Sequence, residues 1–333
     1  MSSNKKRFVP VLMVFLVLIG LYLGIGAFNL GFDRVFMTLI GQGDRTENFV
    51  ILQLRLPRLI IVVFSGAALA LSGAILQGIT QNDLADPGII GINAGAGLGV
   101  AVFFLLFSHS AKDFAYVLPL VAFAGGALSA GVILLLSSSR QSGLNPFKML
   151  LIGIGLSMAL SGFMVILVAS AERDEVQFIT RWLSGNVWGG DWPFVIATVP
   201  LILLAAITLY FHSQILNILN LGGDVATGLG VHLKKAHYVL LGLATLLAGV
   251  AVSVSGNIAF LGLVAPHIAK RVVGRRHQVN LVFTALLGGL LLLAADLFAK
   301  NLIEPNGLPT GIVVSLIGAP YFIILLIKKG QRL

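Results

Sequence analysis

The sequence predicts an all-α integral membrane protein with about ten transmembrane helices and with both termini in the cytoplasm. Of its 333 residues, 57% are hydrophobic and only 11% are charged, and the mean hydropathy is +0.99. A soluble domain cannot keep that much apolar surface away from water, so lipid must cover it. Long apolar runs recur along the chain, and the basic residues between them are distributed asymmetrically. These three observations predict the fold class.

Ten apolar segments are candidates for membrane spans, because a helix needs about 20 apolar residues to cross the hydrocarbon core. They lie at about residues 8–28, 57–79, 88–107, 116–136, 148–170, 194–211, 237–255, 258–273, 280–299 and 311–327. The seventh and eighth segments are separated only by Ser255, Gly256 and Asn257. A merged run would have about 37 residues, which is too long for one span even when it is tilted. We therefore expect two helices here.

The basic residues predict the orientation of the spans. With the N-terminus inside, 14 of the 22 Lys and Arg residues fall on the inner side, as the positive-inside rule requires. These residues are Lys5, Lys6, Arg7, Arg140, Lys148, Lys234, Lys235, Lys270, Arg271, Arg275, Arg276, Lys328, Lys329 and Arg332. An even number of spans returns the C-terminus to the cytoplasm. The net charge of +9 thus reports membrane orientation, and we expect no nucleic-acid partner.

Residues 1–333 are predicted to form a single transmembrane domain, because no long polar segment interrupts the spans. An energy source or a substrate-capture module would then lie on another chain. The sequence has no Gly-Lys dipeptide for a phosphate-binding loop, no His-Glu-x-x-His metal helix and no Gly-x-Ser-x-Gly turn. It also has no cysteine. We therefore predict no catalytic, cofactor-binding or metal-binding residue.

Two polar residues invite other interpretations. Asp296 is the only acidic residue within a predicted span and lies close to its outer end. It fits a structural contact at a helix end better than a proton relay, although ion-coupled carriers do place carboxylates in spans. His267 has no second ligand at useful spacing, so a structural role is favoured over metal binding.

An ordered series of motifs resembles the FecCD family of ABC-importer permeases, from about residue 50 to residue 328. The motifs are Leu54-Arg55-Leu56-Pro57-Arg58, Gly73-Ala74-Ile75-Leu76-Gln77, Asn82 to Gly88, Gly91 to Gly97, Trp182-Leu183-Ser184-Gly185, Gly256 to His267, Ala295-Asp296, Pro309-Thr310-Gly311 and Gly318 to Phe322. One motif alone would be modest evidence. The ordered set is specific.

The resemblance implies a type II importer in a prokaryotic cell membrane. In this family two permease subunits, identical or paralogous, act with a cytoplasmic dimer of ABC ATPases, and an extracellular or periplasmic binding protein delivers the cargo. An iron(III)–siderophore is the expected cargo because it is the commonest one in the family; haem and cobalamin are alternatives. The chain itself would be a multi-pass transport subunit surrounded by membrane lipid, and not an enzyme. An ion-coupled secondary transporter is the alternative from another class, and near-absence of charges in the spans disfavours it.

Arg55 and Arg58 stand at the predicted outer start of the second span. On residue pattern alone they are interfacial side chains that snorkel to water. The resemblance implies a second role, since in similar permeases these two arginines and a basic residue after the Ala-Asp motif meet acidic groups of the binding protein. Lys300 holds the third position here, where an arginine is more usual. Lysine keeps the charge but loses the bidentate fork.

The inner segment 217–233 combines apolar residues at helical spacing with glycines, which predicts two short helices joined by glycine turns. An ordinary cytoplasmic connector is the simpler interpretation. The family places its ATPase-coupling helices here, with a Leu-Gly-x-x-x-Ala-x-x-Leu-Gly pattern. The matching residues are Leu221, Gly222, Ala226, Leu229 and Gly230, and Asp224 is expected to replace an acidic residue that is common at the position of Gly223.

Overall fold

The computed structural model describes residues 2–26, 28–107, 114–139, 143–302 and 307–330. These residues form sixteen helices, a π-helical turn and one short antiparallel pair of two-residue strands. The helices are α1 (Ser2–Gly24), α2 (Phe32–Leu39), α3 (Arg45–Asn48), α4 (Leu56–Thr80), α5 (Pro87–Ile90), α6 (Ile92–Phe107), α7 (Phe114–Ser137), α8 (Pro146–Ala169), α9 (Arg173–Leu183), α10 (Trp192–Phe211), α11 (Ser213–Leu219), α12 (Gly223–Gly228), α13 (Leu233–Ser255), α14 (Leu261–Val273), α15 (His277–Leu302) and α16 (Thr310–Gly330). The π-helical turn is Phe49–Arg55, and the strands are β1 (Ser138–Ser139) and β2 (Gly143–Leu144). The predicted all-helical class is confirmed.

Eight stretches of helix in the described part of the chain are long and apolar enough to cross a membrane. Two further helices coincide with predicted spans but are shorter: α6 has 16 residues and α14 has 13. At about 1.5 Å per residue, α14 is only ~20 Å long, less than the thickness of the hydrocarbon core. The third predicted span differs from expectation, because the chain breaks between α5 and α6 at Gly91, whose φ is +93°. Ten crossings remain a prediction.

The seventh and eighth predicted spans are confirmed as separate helices. Helix α13 ends at Ser255 and α14 begins at Leu261. Between them, Gly256 has a φ of +70° and Phe260 a φ of +67°. Left-handed backbone conformations of this kind end one helix and redirect the chain into the next.

Helix α4 lies at the centre of the bundle and packs on α13, α14 and α15. Glycines allow this close packing. A Cβ on Gly73 would overlap the carbonyl of Gly262 in α14, and Gly66 and Gly288 exclude a Cβ on each other in the same way. Lipid provides no hydrophobic drive for helices to associate, so close backbone approach must supply the packing energy.

Charged side chains form contacts at both ends of the bundle. At the predicted inner end, Arg7 donates to the carbonyl of Val272, and Lys270 pairs with Asp83 at 2.6 Å. At the other end, residues of α1, α4, α15 and the start of α16 form a charged cluster. Two of the inner basic residues, Arg140 and Arg332, lie outside the described residues.

Candidate docking cluster and coupling segment

The charged cluster is centred on Asp296 of α15, whose side chain is 0% exposed. Its Oδ1 accepts hydrogen bonds from Arg58 Nη2 at 2.9 Å and from Thr310 Oγ1 at 2.7 Å. Its Oδ2 accepts from the Tyr22 hydroxyl at 2.6 Å and from Arg58 Nε at 3.2 Å. A buried carboxylate is tolerated only when its oxygens are satisfied in this way. One side chain therefore joins α1, α4, α15 and α16.

Lys300 lies one helical turn after Asp296. Its Nζ is 3.6 Å from Asp296 Oδ2 and donates to the Tyr22 hydroxyl at 2.6 Å. The ammonium also lies 4.1 Å from the centre of the Tyr22 ring, in a cation–π arrangement. Lysine is thus held by an aromatic ring and a hydroxyl, contacts that do not require the planar fork of arginine.

Arg55 has different partners. Its guanidinium donates to the carbonyls of Leu23 and Phe28, both at 2.5 Å. Leu23 belongs to the last turn of α1, whose carbonyls lack partners within the helix. The described residues offer Arg55 hydrogen bonds to backbone but no ion pair. The side chain therefore joins the end of α1 to the π-helical turn that precedes α4, and no carboxylate among the described residues pairs with it.

We call Arg55, Arg58 and Lys300 the outer cation cluster. Two of its positive charges, those of Arg58 and Lys300, face a single buried carboxylate, that of Asp296, whereas Arg55 donates to backbone carbonyls. The cluster is open on one side, since the side chain of Arg58 is 26% exposed and that of Lys300 is 31% exposed. A partly desolvated site with excess positive charge favours binding of an additional anion.

Local structure explains where these cations lie. The π-helical turn Phe49–Arg55 runs directly into α4, and Pro57 occupies its first turn, where a missing N–H costs nothing. Trp192 of α10 donates from Nε1 to the carbonyl of Leu52 at 2.9 Å and fixes the turn against the bundle. Both arginines lie at the predicted outer start of the second span, but Tyr22 and Thr310 were not predicted as their neighbours. Two features of the sequence pointed to these neighbours: the lone acidic residue in a span and the Pro309-Thr310-Gly311 motif.

The coupling segment lies at the predicted inner end. Two short helices, α11 and α12, are present and are separated by a turn at Gly222, whose φ is +101°, but α11 begins at Ser213, before the predicted segment 217–233. Gly230 follows α12 with a φ of +85°. Leu221 and Leu229 are 61% and 60% exposed, whereas Ala226 is buried. Asp224 lies exposed in the first turn of α12, where its charge favours the helix N-terminus. The segment thus presents exposed leucines beside an exposed carboxylate.

Hydrogen bonds fix this segment to the central helices. Asn217 of α11 donates to Gln278 at 3.0 Å and accepts from the backbone N–H of His277 at 2.9 Å. Gln81, at the end of α4, donates to the carbonyl of Leu219 at 2.6 Å. Helices α4 and α15 therefore contact the coupling segment at one end and carry the outer cation cluster at the other.

A cavity of about 580 Å³ lies between the end of α9, the chain that links α13 to α14, and α16. Its lining includes Ser184, Asn257, Gly311, Ile312, Ser315 and Leu316.

His267 packs edge-on against Tyr321 with ring centres 5.9 Å apart. Within the described ranges, no three His, Asp or Glu side chains are grouped to hold a metal ion.

The fold and these two ends define a multi-pass α-helical membrane protein. The sequence matches the FecCD transport family over residues 12–328, and the chain belongs to that family. The iron(3+)-hydroxamate import system permease protein FhuG of Bacillus subtilis is 36% identical over 336 residues, covering 99% of both chains. The Fe(3+) dicitrate transport system permease protein FecD of Escherichia coli is 39% identical over 289 residues, covering 86% of this chain and 88% of the relative.

A solved structure supports the same assignment. An inward-facing conformation of a metal-chelate type ABC transporter matches with a TM-score of 0.83 at 29% identity, covering 98% of this chain and 100% of that chain. The family resemblance inferred from the ordered motifs is therefore confirmed, and the chain is a transport permease.

Proposed function

We propose that the chain is the permease subunit of an ABC importer that moves an iron(III)–siderophore across a prokaryotic cell membrane. The observation that carries this proposal is the end-to-end similarity to permeases of iron import systems. Residues 1–333 form one transmembrane domain in this account, and a separate ATPase supplies the energy. The absence of a phosphate-binding motif in the sequence agrees with that division of labour.

The assembly would contain a second permease subunit, a cytoplasmic ATPase dimer and an external binding protein. The permease provides the pathway but does not hydrolyse ATP. Copurification tests the assembly directly: a tagged chain expressed with its neighbouring genes should bring down an ATPase chain. Purification of a fully active transporter without an ATPase would contradict the proposal and favour an ion-coupled carrier.

The outer cation cluster is the proposed docking site for acidic groups of the binding protein. Its excess of positive charge supports this role, because an incoming carboxylate would compensate Arg58 and Lys300 together. Arg58 reaches Asp296 through two nitrogens, so its remaining exposed edge is preoriented toward the outside. Preorientation lowers the entropy cost of binding.

Charge reversal tests docking. The double variant Arg55→Glu with Arg58→Glu should weaken binding of the binding protein by about 30-fold or more, the effect of losing ~2 kcal/mol at an interfacial charge pair. Arg45→Glu with Arg173→Glu is a matched control, because both arginines are exposed, lie in predicted outer segments and are not among the hydrogen-bond partners of Asp296. Equal binding by the two double variants in proteoliposomes would refute docking at this site.

The coupling segment is the proposed contact with the ATPase. Exposed Leu221 and Leu229 would enter an apolar cleft, and Asp224 would meet a basic group at its edge.

Gly230→Val strains a backbone with a φ of +85°, so transport per ATP hydrolysed should fall. Gly228→Val is the control, since a Cβ there meets nothing within 4 Å and needs no positive φ. Identical transport-to-hydrolysis ratios for the two variants would exclude a coupling role for Gly230.

A further inference from the structure

We infer that Asp296 is a positioning residue that connects the outer cation cluster to the first turn of α16 through Thr310. The inference rests on the proposed docking role of the cluster and goes beyond it, because it concerns what docking changes inside the protein. Neither Asp296 nor Thr310 contacts the binding protein in this account.

The first step is the sharing of one oxygen. Asp296 Oδ1 accepts both from Arg58 Nη2, at 2.9 Å, and from Thr310 Oγ1, at 2.7 Å. A carboxylate that approaches Arg58 from outside competes with Asp296 for the guanidinium. As Arg58 is drawn outward, Asp296 loses its two hydrogen bonds from the guanidinium and depends more on Thr310 and on Tyr22, which donates to Oδ2.

The second step is the position of Thr310. It is 0% exposed and is the first residue of α16, where the N-terminal end of the helix attracts the carboxylate of Asp296. The next residue, Gly311, donates from its backbone to the carbonyl of Gly185 at 2.9 Å. A Cβ on Gly311 would lie 2.6 Å from the carbonyl oxygen of Ser184. Because the two backbones are packed this closely, movement of the first turn of α16 must also move the segment that follows α9.

The third step is the cavity. Gly311, Ile312 and Ser315 of α16 form part of its wall, and Ser184 forms another part. The contact between Gly185 and Gly311 therefore lies at the edge of the same cavity. A shift of the Asp296 side chain therefore reaches the cavity through the Thr310 hydroxyl and the first turn of α16.

The charge balance favours this role over a purely structural one. A structural ion pair needs one cation, whereas Asp296 faces Arg58 and Lys300, both partly exposed. An external anion balances the second positive charge. Without it, the charges of Arg58 and Lys300 repel each other. The cluster therefore has two charge states, one with the anion bound and one without it. A signal from the docking surface requires two such states.

Thr310→Val removes the hydroxyl but keeps the shape and every charge. In the assembled transporter, reconstituted with its own binding protein and ATPase, this variant should bind the binding protein with unchanged Kd. Stimulation of ATP hydrolysis by the binding protein should fall by about fivefold or more, the low end of the usual coupling between two sites. Thr310→Ser, which keeps the hydroxyl, should restore the stimulation.

Normal stimulation of Thr310→Val would overturn the inference and leave docking intact. A weaker Kd with normal stimulation at saturation would also overturn it, since the hydroxyl would then only shape the docking site. Failure of the wild type to bind the binding protein would overturn the docking proposal as well.

A second measurement does not depend on assembly of the valine variant. The chain has no cysteine, so one spin label can be placed at Leu316, which is 68% exposed and lines the cavity. Adding the binding protein should change the spectrum of the label in the wild-type background, but not in a chain that also carries Arg55→Glu and Arg58→Glu. An unchanged spectrum in the wild-type background would contradict movement of α16.

Discussion

At the scale of single residues, Asp296 accepts hydrogen bonds from Tyr22, Arg58 and Thr310, which belong to three other helices. The residue is separated from Arg58 by 238 positions and from Tyr22 by 274. No local sequence pattern reveals such contacts. The favoured interpretation of Asp296 as a structural contact at a helix end agrees with this geometry, and its partners became visible only in three dimensions.

Asp296→Asn should lower the free energy of unfolding by about 3–5 kcal/mol, because the buried side of Arg58 then lacks its counter-charge. Asp83→Asn is a suitable control. The Asp83 side chain is 39% exposed, and its ion pair with Lys270 should contribute no more than ~1 kcal/mol. Thermal unfolding of the detergent-solubilised variants, followed by loss of the monodisperse chromatographic peak, compares the two. Equal losses would show that burial of Asp296 has no special effect.

At the scale of helices, glycines divide into two groups that the sequence does not separate. Gly66, Gly73 and Gly153 face the backbone of a neighbouring helix or loop, whereas Gly155 and Gly242 face open space. All lie within predicted spans, and composition predicts close packing for each. The side of the helix on which a glycine lies decides its role, and near-uniform hydrophobicity conceals that side from sequence analysis.

Gly73→Ala should therefore prevent α4 from approaching α14 and lower the yield of folded protein severely, since a rigid backbone carbonyl occupies the space of the new Cβ. Gly155→Ala should be neutral or slightly stabilising, because Ala is favoured over Gly in a helix by about 1 kcal/mol and nothing lies within 4 Å. Fluorescence-detected chromatography of membrane extracts measures both yields. A well-folded Gly73→Ala protein would contradict the packing described for α4 and α14.

At the scale of the whole molecule, hydropathy was sufficient to predict the helical class and the approximate positions of the eight described helices that are long enough to cross a membrane. It also separated α13 from α14 on three residues, because a merged run exceeds the bilayer thickness. The break at Gly91 was missed, since Ile90 and Ile92 continue the apolar pattern on both sides. Hydrophobicity reports which residues avoid water, but not where the backbone turns.

The candidate site was predictable in part. Arg55, Arg58 and Lys300 were selected through the family resemblance, and the structure brings Arg58 and Lys300 to one carboxylate. Arg55 lies instead on the backbone carbonyls of Leu23 and Phe28. The docking role of all three cations remains a prediction, and that of Arg55 depends on how its partly buried charge acts beside the other two.

The most direct test of the central claim is uptake by proteoliposomes that contain the permease, its partner subunit and its ATPase. Radiolabelled iron(III)–siderophore, presented on the binding protein, should accumulate only when ATP is supplied to the ATPase side. A proton gradient without ATP should give no uptake. Accumulation driven by the proton gradient in the absence of ATP would contradict the account and assign the chain to the ion-coupled carriers.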